Sequence, residues 1–136
     1  MNVDKKICQL IFDIYRRLRK NFISLTEGKL TIYQIHILLY LNEKKQVSLN
    51  DIAKIFGTSF PSATISVDKL VKEGMIKRKK SSKDRRITLI GLTKKGLKII
   101  NNLNKKSDIE VKTLLKKLSK KEKKTFLDLL EKIINS

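Results

Sequence analysis

The chain has 136 residues, 40% of them apolar, and a formal net charge of +19. That much apolar material excludes a chain disordered by composition and suffices for one ordinary domain or two small lobes sharing a core. The charge favours polyanions, either nucleic acid or an anionic membrane surface, and the single cysteine, Cys8, excludes an internal disulfide and makes a reducing compartment the default.

The first predicted element is a helix over about Val3–Leu25. Val3, Ile7, Leu10, Ile11, Ile14 and Leu18 recur at 3/4 spacing and make one apolar stripe, opposite Asp13, Arg16, Arg17 and Lys20. After a looser stretch near Gly28, Thr31 and Gln34 form a capping box for a second helix to about Asn42. Ile32, Ile35, Ile37, Leu38, Leu39 and Leu41 make that helix apolar almost all round, as expected of a central one. Ser48 and Asp51 repeat the capping signature ahead of Leu49, Ile52, Ala53 and Phe56. Gly57 suits the C′ position of this third helix.

Only Thr58 and Ser59 separate the third helix from a fourth, which Ser59 caps and Gly74 stops. Pro61 is tolerable in its first turn, where its missing N–H would be unpaired anyway. Ala63, Val67, Leu70 and Val71 form its inward stripe. The period then changes. Met75–Lys80 and Arg85–Leu92 read as the strands of a hairpin around Ser81, Ser82, Lys83 and Asp84, with apolar residues on both faces of the second strand. Thr93 caps a long helix to about Leu118. Its heptad-like line is Leu97, Ile100, Asn104, Ser107, Val111, Leu114 and Leu118, and the polar pair suggests a bend, a water-lined gap or a diverging partner helix. Ser119 and Glu122 box the last helix, with Phe126, Leu127, Leu130, Ile133 and Ile134 on one face.

Two closely spaced helices followed by a basic hairpin are the parts of a winged helix-turn-helix, which presents its second helix to the major groove. The placement of charge matters more than its total, because 26 of the 32 basic residues are lysines spread along the chain. Seven basic residues in ten, Lys77, Arg78, Lys79, Lys80, Lys83, Arg85 and Arg86, mark the hairpin, whereas the lysines of Lys94–Lys132 read as a solvated helix surface. With Ala63, Val67 and Leu70 assigned to the core, the outward face of the fourth helix offers Pro61, Ser62, Thr64, Ile65, Ser66 and Lys69. Hydroxyls there can meet base edges or phosphates, Lys69 a phosphate, and Ile65 either a thymine methyl or a half-buried neighbour. The absence of Arg, Asn and Gln from the first turns removes the strongest bidentate base contacts, which leaves shape readout and an A·T-rich preference. Lys77, Arg78, Lys79 and Lys83 are phosphate candidates, and Asp84 is an orienting partner for the neighbouring arginines.

These residues resemble the MarR family of winged-helix transcriptional regulators. The matching pieces are LTIYQIHILLYL, SLNDIAKIFG, PSATISVDKLVKEGMIKR and, most specific, KDRRITLIGLTKKG, which fits the family's D-x-R-x-x-x-(apolar)-x-L-T pattern at Asp84, Arg86, Ile90, Leu92 and Thr93. The resemblance spans almost the whole chain. It implies a mainly α fold with a small β-hairpin wing, a short strand near Val47, and flanking dimerisation helices over 1–30 and 94–136 around a winged helix-turn-helix over 31–93. It implies a homodimer on double-stranded DNA, often a repressor, whose affinity responds to a small molecule or to oxidation. Arg86 would act at the minor groove, with Asp84 bracing it or the hairpin. A small aromatic or phenolic effector would lie between the reading lobe and the first, second and fifth helices.

Cys8 sits where the family's peroxide-sensing branch carries its reactive thiol, although the partner positions hold Phe22 and Ile32, with Tyr33 one place off. A redox switch at Cys8 and a weakly specific, nucleoid-coating protein are therefore the alternative functions. His36, alone in an apolar helix, reads as a core or interface histidine. One histidine and one cysteine do not make an ordinary zinc site. No catalytic dyad or Gly-rich phosphate loop appears, so neither an enzyme nor a cofactor is expected. Lacking a signal-peptide core or an uninterrupted apolar window of roughly 18 residues, the chain is expected in the cytoplasm, on the nucleoid, away from membranes.

Overall fold

A computed structural model describes residues 2–136. It places α1 at Val3–Leu25, α2 at Ile32–Lys44, β1 at Gln46–Ser48, α3 at Leu49–Ile55, α4 at Phe60–Lys72, β2 at Ile76–Lys80, β3 at Thr88–Leu92, α5 at Lys94–Leu114 and α6 at Lys120–Ile134. Each helix starts at a side-chain cap: Asn2, Thr31, Ser48, Ser59, Thr93 and Ser119 each accept a backbone N–H of the following first turn. Each such cap contributes roughly 0.5–2 kcal/mol. The boxes at Thr31/Gln34 and Ser119/Glu122 form reciprocally, as expected.

The helix ends are equally local. Gly57 (φ 62°) and Gly74 (φ 76°) occupy left-handed positions after α3 and α4. In both places the paired return bonds of a Schellman turn form: Thr58 N–H to the Ala53 carbonyl with Gly57 N–H to Lys54, and Met75 N–H to Leu70 with Gly74 N–H to Val71.

The core lies in the central lobe. Ile35, Ile37, Leu38 and Leu41 of α2, Leu49, Ile52 and Ala53 of α3, Ala63, Val67 and Leu70 of α4, Met75, Ile76, Ile90, and Ile100 and Leu103 of α5 are buried together. The helix that is apolar all round is thus the central one. Neither α1 nor α6 has a fully buried residue, and their apolar stripes face outward, with Ile7, Leu10, Ile11, Leu127, Leu130 and Ile133 all exposed.

The sheet is three-stranded and antiparallel in the order β1-β3-β2. Val47 pairs with Ile90, and β2 runs along β3 from Ile76 opposite Leu92 to Lys80 opposite Thr88. Four boundaries differ from the sequence reading. Helix α2 runs on to Lys44, past Asn42. The second wing strand starts at Thr88 rather than Arg85, because Asp84–Ile87 form a turn in which the Ile87 N–H bonds the Asp84 carbonyl and Asp84 Oδ1 accepts the Arg86 N–H. The first starts at Ile76, since Met75 completes the turn after α4. Helix α5 ends at Leu114, four residues short, where tight turns over 115–118 precede the Ser119 cap. The buried face of α5 is Gly96, Ile100 and Leu103, of which only Ile100 belongs to the heptad line. Leu97 is exposed, and the Ser107 hydroxyl bonds the Asn104 carbonyl inside one continuous helix.

Candidate nucleic-acid interface

The helix-turn-helix is held from behind by aromatic rings. Phe56, the C-cap of α3, sits against three rings of α2: Tyr33 at 5.7 Å, Tyr40 edge-on at 5.9 Å, and His36 stacked at 6.2 Å and 19°. The Tyr33 and Thr58 hydroxyls share a 2.6 Å hydrogen bond, which pins the turn between α3 and α4. Burial pushes the His36 imidazole below its ordinary pKa. His36 is therefore a packing residue, as expected, whereas Tyr33 is committed to the turn. Cys8 is exposed near the start of α1.

Helix α4 turns Ala63, Val67 and Leu70 inward and leaves Pro61, Ser62, Ile65 and Lys69 exposed, with Thr64 and Ser66 half-buried. Ile65 is 71% exposed, which rules out the packing alternative. The hydroxyls are partly spent. Ser62 accepts from the Ser59 hydroxyl at 3.0 Å and keeps its own proton to donate. Thr64 donates to the Phe60 carbonyl at 2.9 Å and keeps only acceptor capacity. The face thus offers one oriented donor, one oriented acceptor and an apolar side chain, a pattern that can discriminate base edges.

The wing tip is built from two short side chains. Ser81 is buried, and its Oγ accepts the backbone N–H groups of Lys83 and Asp84 at 3.3 and 3.4 Å. Asp84 then grips Arg86 twice over, Nε to Oδ1 and Nη2 to Oδ2 both at 3.1 Å, while accepting the Arg86 backbone N–H at 3.0 Å. The Arg86 side-chain bonds first, and its N–H second, hold the Asp84 carboxyl below the ordinary carboxylate range. Even so gripped, the Arg86 side chain is 90% exposed. A guanidinium fixed in direction but free in solvent is preorganised for an anionic or groove partner. Lys83 and Arg85 are exposed beside it.

Two features escaped the sequence reading. Arg78, a phosphate candidate, is ion-paired with Asp68 on the outer side of α4, so the wing and the recognition helix are tied together. Phe60, the first residue of α4, is 49% exposed beside the candidate contact residues. The pairing of Arg78 with Asp68 across some ten positions of chain has no short-range signal. An aromatic directly after an N-cap serine, on a helix whose inward stripe was already complete, was a legible one.

The MarR family model matches residues 30–88, which contain α2, α3, α4, β1 and the wing up to the first residue of β3. An HTH-type transcriptional regulator of Bacillus subtilis, YfiV, is 36% identical over 90 residues, or 66% of this chain and 56% of that protein, so the chain spans little more than half the relative's length. A mutant of MarR from E. coli complexed with operator DNA superposes with a TM-score of 0.77 at 21% identity, covering 98% of this chain and 99% of the other. A mutant of S. aureus MepR bound to an oligodeoxyribonucleotide gives 0.67 at 26% identity, covering 95% and 96%. The wing motif, the order of elements and these likenesses agree: the chain carries a winged helix-turn-helix that matches the MarR family over residues 30–88 and shares the fold of MarR proteins along its length.

Proposed function

We propose that this protein is a homodimeric repressor that binds a pseudo-palindromic operator, with the exposed face of α4 in the major groove and the wing along the backbone and minor groove. The observation that carries the reading is the Asp84–Arg86 clamp: a preorganised, solvent-facing guanidinium on the same lobe as an α4 face offering hydroxyls, Ile65 and Lys69. Pro61, Ser62, Thr64, Ile65, Ser66 and Lys69 would contact bases and nearby phosphates, and Lys83, Arg85 and Arg86 the wing's share of the duplex. Two neighbours of like fold are bound to DNA, which supports the same partner here.

The outward apolar stripes of α1 and α6 support a second copy of the chain as their cover, since symmetric pairing buries the same patch twice. Residues 1–30 and 94–136 would then be the dimerisation region and 31–93 the reading head, with half-sites about 10 bp apart. A crevice of about 270 Å³ between the end of α1 and α5, with Leu25, Leu30, Met75, Ile99 and Leu103 among its walls, suits a small aromatic or phenolic effector.

Competition titration at physiological salt tests the reading. DNA from the protein's own promoter should bind at least about a hundredfold more tightly than random duplex. Equal affinities would favour a charge-driven nucleoid coat instead. Sedimentation should report a dimer at the concentrations used.

A further inference from the structure

The C-terminal end of α5 carries a second cationic feature, remote from the reading face. Arg17 and Lys20 of α1 and Lys116 and Lys117 of the turn after α5 line one cleft of about 510 Å³, together with Leu18, Asn21 and Leu114. Its single carboxylate, Glu110, already accepts the Asn21 amide at 2.9 Å. None of the four cations has an ion-pair partner among the described residues. Four exposed cations from two elements thus line one cleft and give it a positive potential that attracts an anion. Lys94, Lys98 and Lys105 line another crevice, but all three come from α5 alone, whereas this cleft draws its cations from two elements.

The site is independent of the DNA interface. Helix α5 starts at the joint with α4, where the Thr93 hydroxyl donates to the Gly74 carbonyl. Its 21 residues put the cleft about 30 Å further along the axis.

We propose that this cleft binds a small, multiply charged anion bearing adjacent phosphate groups, such as the polyphosphate chain of a nucleotide. A single carboxylate or sulfate would engage one wall only, whereas linked phosphates span Arg17 and Lys20 on one side and Lys116 and Lys117 on the other. A concave site of this volume admits such a chain and excludes the flank of a duplex.

Inorganic tripolyphosphate titrated into the full chain, followed by backbone amide NMR, tests the assignment. Amides of Arg17, Lys20, Asn21, Lys116 and Lys117 should shift together and saturate before those of the wing. Replacing Lys116→Gln with Lys117→Gln should weaken that saturation about tenfold or more, the loss of two charge-assisted contacts, and Arg17→Gln should weaken it from the opposite wall. The charge-matched control Lys123→Gln with Lys132→Gln, outside the cleft, should stay within about twofold of the parent. Equal weakening in cleft and control variants would show diffuse attraction and overturn the proposal. So would saturation of the wing first, or a loss of promoter binding by the cleft variant as large as its loss of tripolyphosphate, since the cations would then serve DNA. The amide shifts stand apart from any promoter measurement, so failure here leaves the operator reading untouched.

Discussion

Arg78 in the first wing strand is ion-paired with Asp68 on the recognition helix. The two side chains remain 37% and 53% exposed, so their attraction is screened and contributes at most about 1 kcal/mol to folding. Its consequence is geometric: the pair sets the wing against α4 and leaves Arg78 less free than Arg86 to turn toward a phosphate. Arg78→Ala should therefore weaken promoter binding by a smaller factor than Arg86→Ala, and Asp68→Asn should lower the unfolding free energy by no more than about 1 kcal/mol. Side-by-side anisotropy titrations check the ranking, which a larger loss from Arg78→Ala would reverse.

Arg86 stands in the opposite situation, held in direction by Asp84 and otherwise bare. Removing it costs no buried contact, so Arg86→Ala should leave the melting temperature within a few degrees while weakening promoter binding by about 1–3 kcal/mol, roughly fivefold to more than a hundredfold. Asp84→Asn should cost less, because it loosens the arginine without deleting it. The folded carboxyl titrates below its unfolded value. The bracing interaction is thus present throughout neutral pH and disappears only as pH falls through that depressed value. Between pH 6 and 8, any change in affinity should be the same in the parent and in Asp84→Asn; a titration confined to the parent would contradict this origin.

His36 gives stability a pH dependence of determinate sign. Burial against Phe56 lowers its folded pKa below the ordinary imidazole value, so the folded state prefers the neutral ring. That preference is fully present above the unfolded pKa and is lost progressively as pH falls through the folded one. Urea midpoints should drop between pH 8 and pH 5, and His36→Phe, which keeps a stacking ring but no titration, should flatten the drop. An identical slope in the variant would assign the effect elsewhere.

Much of this molecule was written in short-range signals. The caps at Thr31, Ser48, Ser59, Thr93 and Ser119 and the stops at Gly57 and Gly74 each depend on residues three or four apart, which is why helix starts agree so closely with the sequence. Boundaries failed where tertiary or turn chemistry intervened. The Asp84 side chain captures the Arg86 N–H and delays the second strand, and α5 stops at Leu114 although apolar spacing continues to Leu118. On the candidate interface, the exposed face of α4 followed from its inward stripe, and the D-x-R spacing located the clamp. The Asp68–Arg78 tie and the shared bond of Tyr33 and Thr58 join separate elements, and periodicity carries no trace of them.

Gly96 marks the joint through which α5 meets the reading head. A Cβ on this residue would lie 2.1 Å from the Met75 carbonyl oxygen, and the obstacle is backbone rather than a side chain that can swing away. The same corner is fastened by Thr93 N–H to the Met75 carbonyl at 3.1 Å and by the Lys95 ammonium to the Glu73 carbonyl at 2.7 Å. Gly96 sits inside a regular helix, where alanine would ordinarily stabilise by up to about 1 kcal/mol. Here the steric term opposes that gain and exceeds it, so Gly96→Ala should destabilise by about 1–3 kcal/mol and displace the start of α5 from the end of α4. Lys98→Ala, one exposed position in the same helix, should be neutral within about 0.5 kcal/mol. Denaturant unfolding of the two variants gives the comparison, and a Gly96→Ala protein as stable as its parent would mean that the joint yields freely.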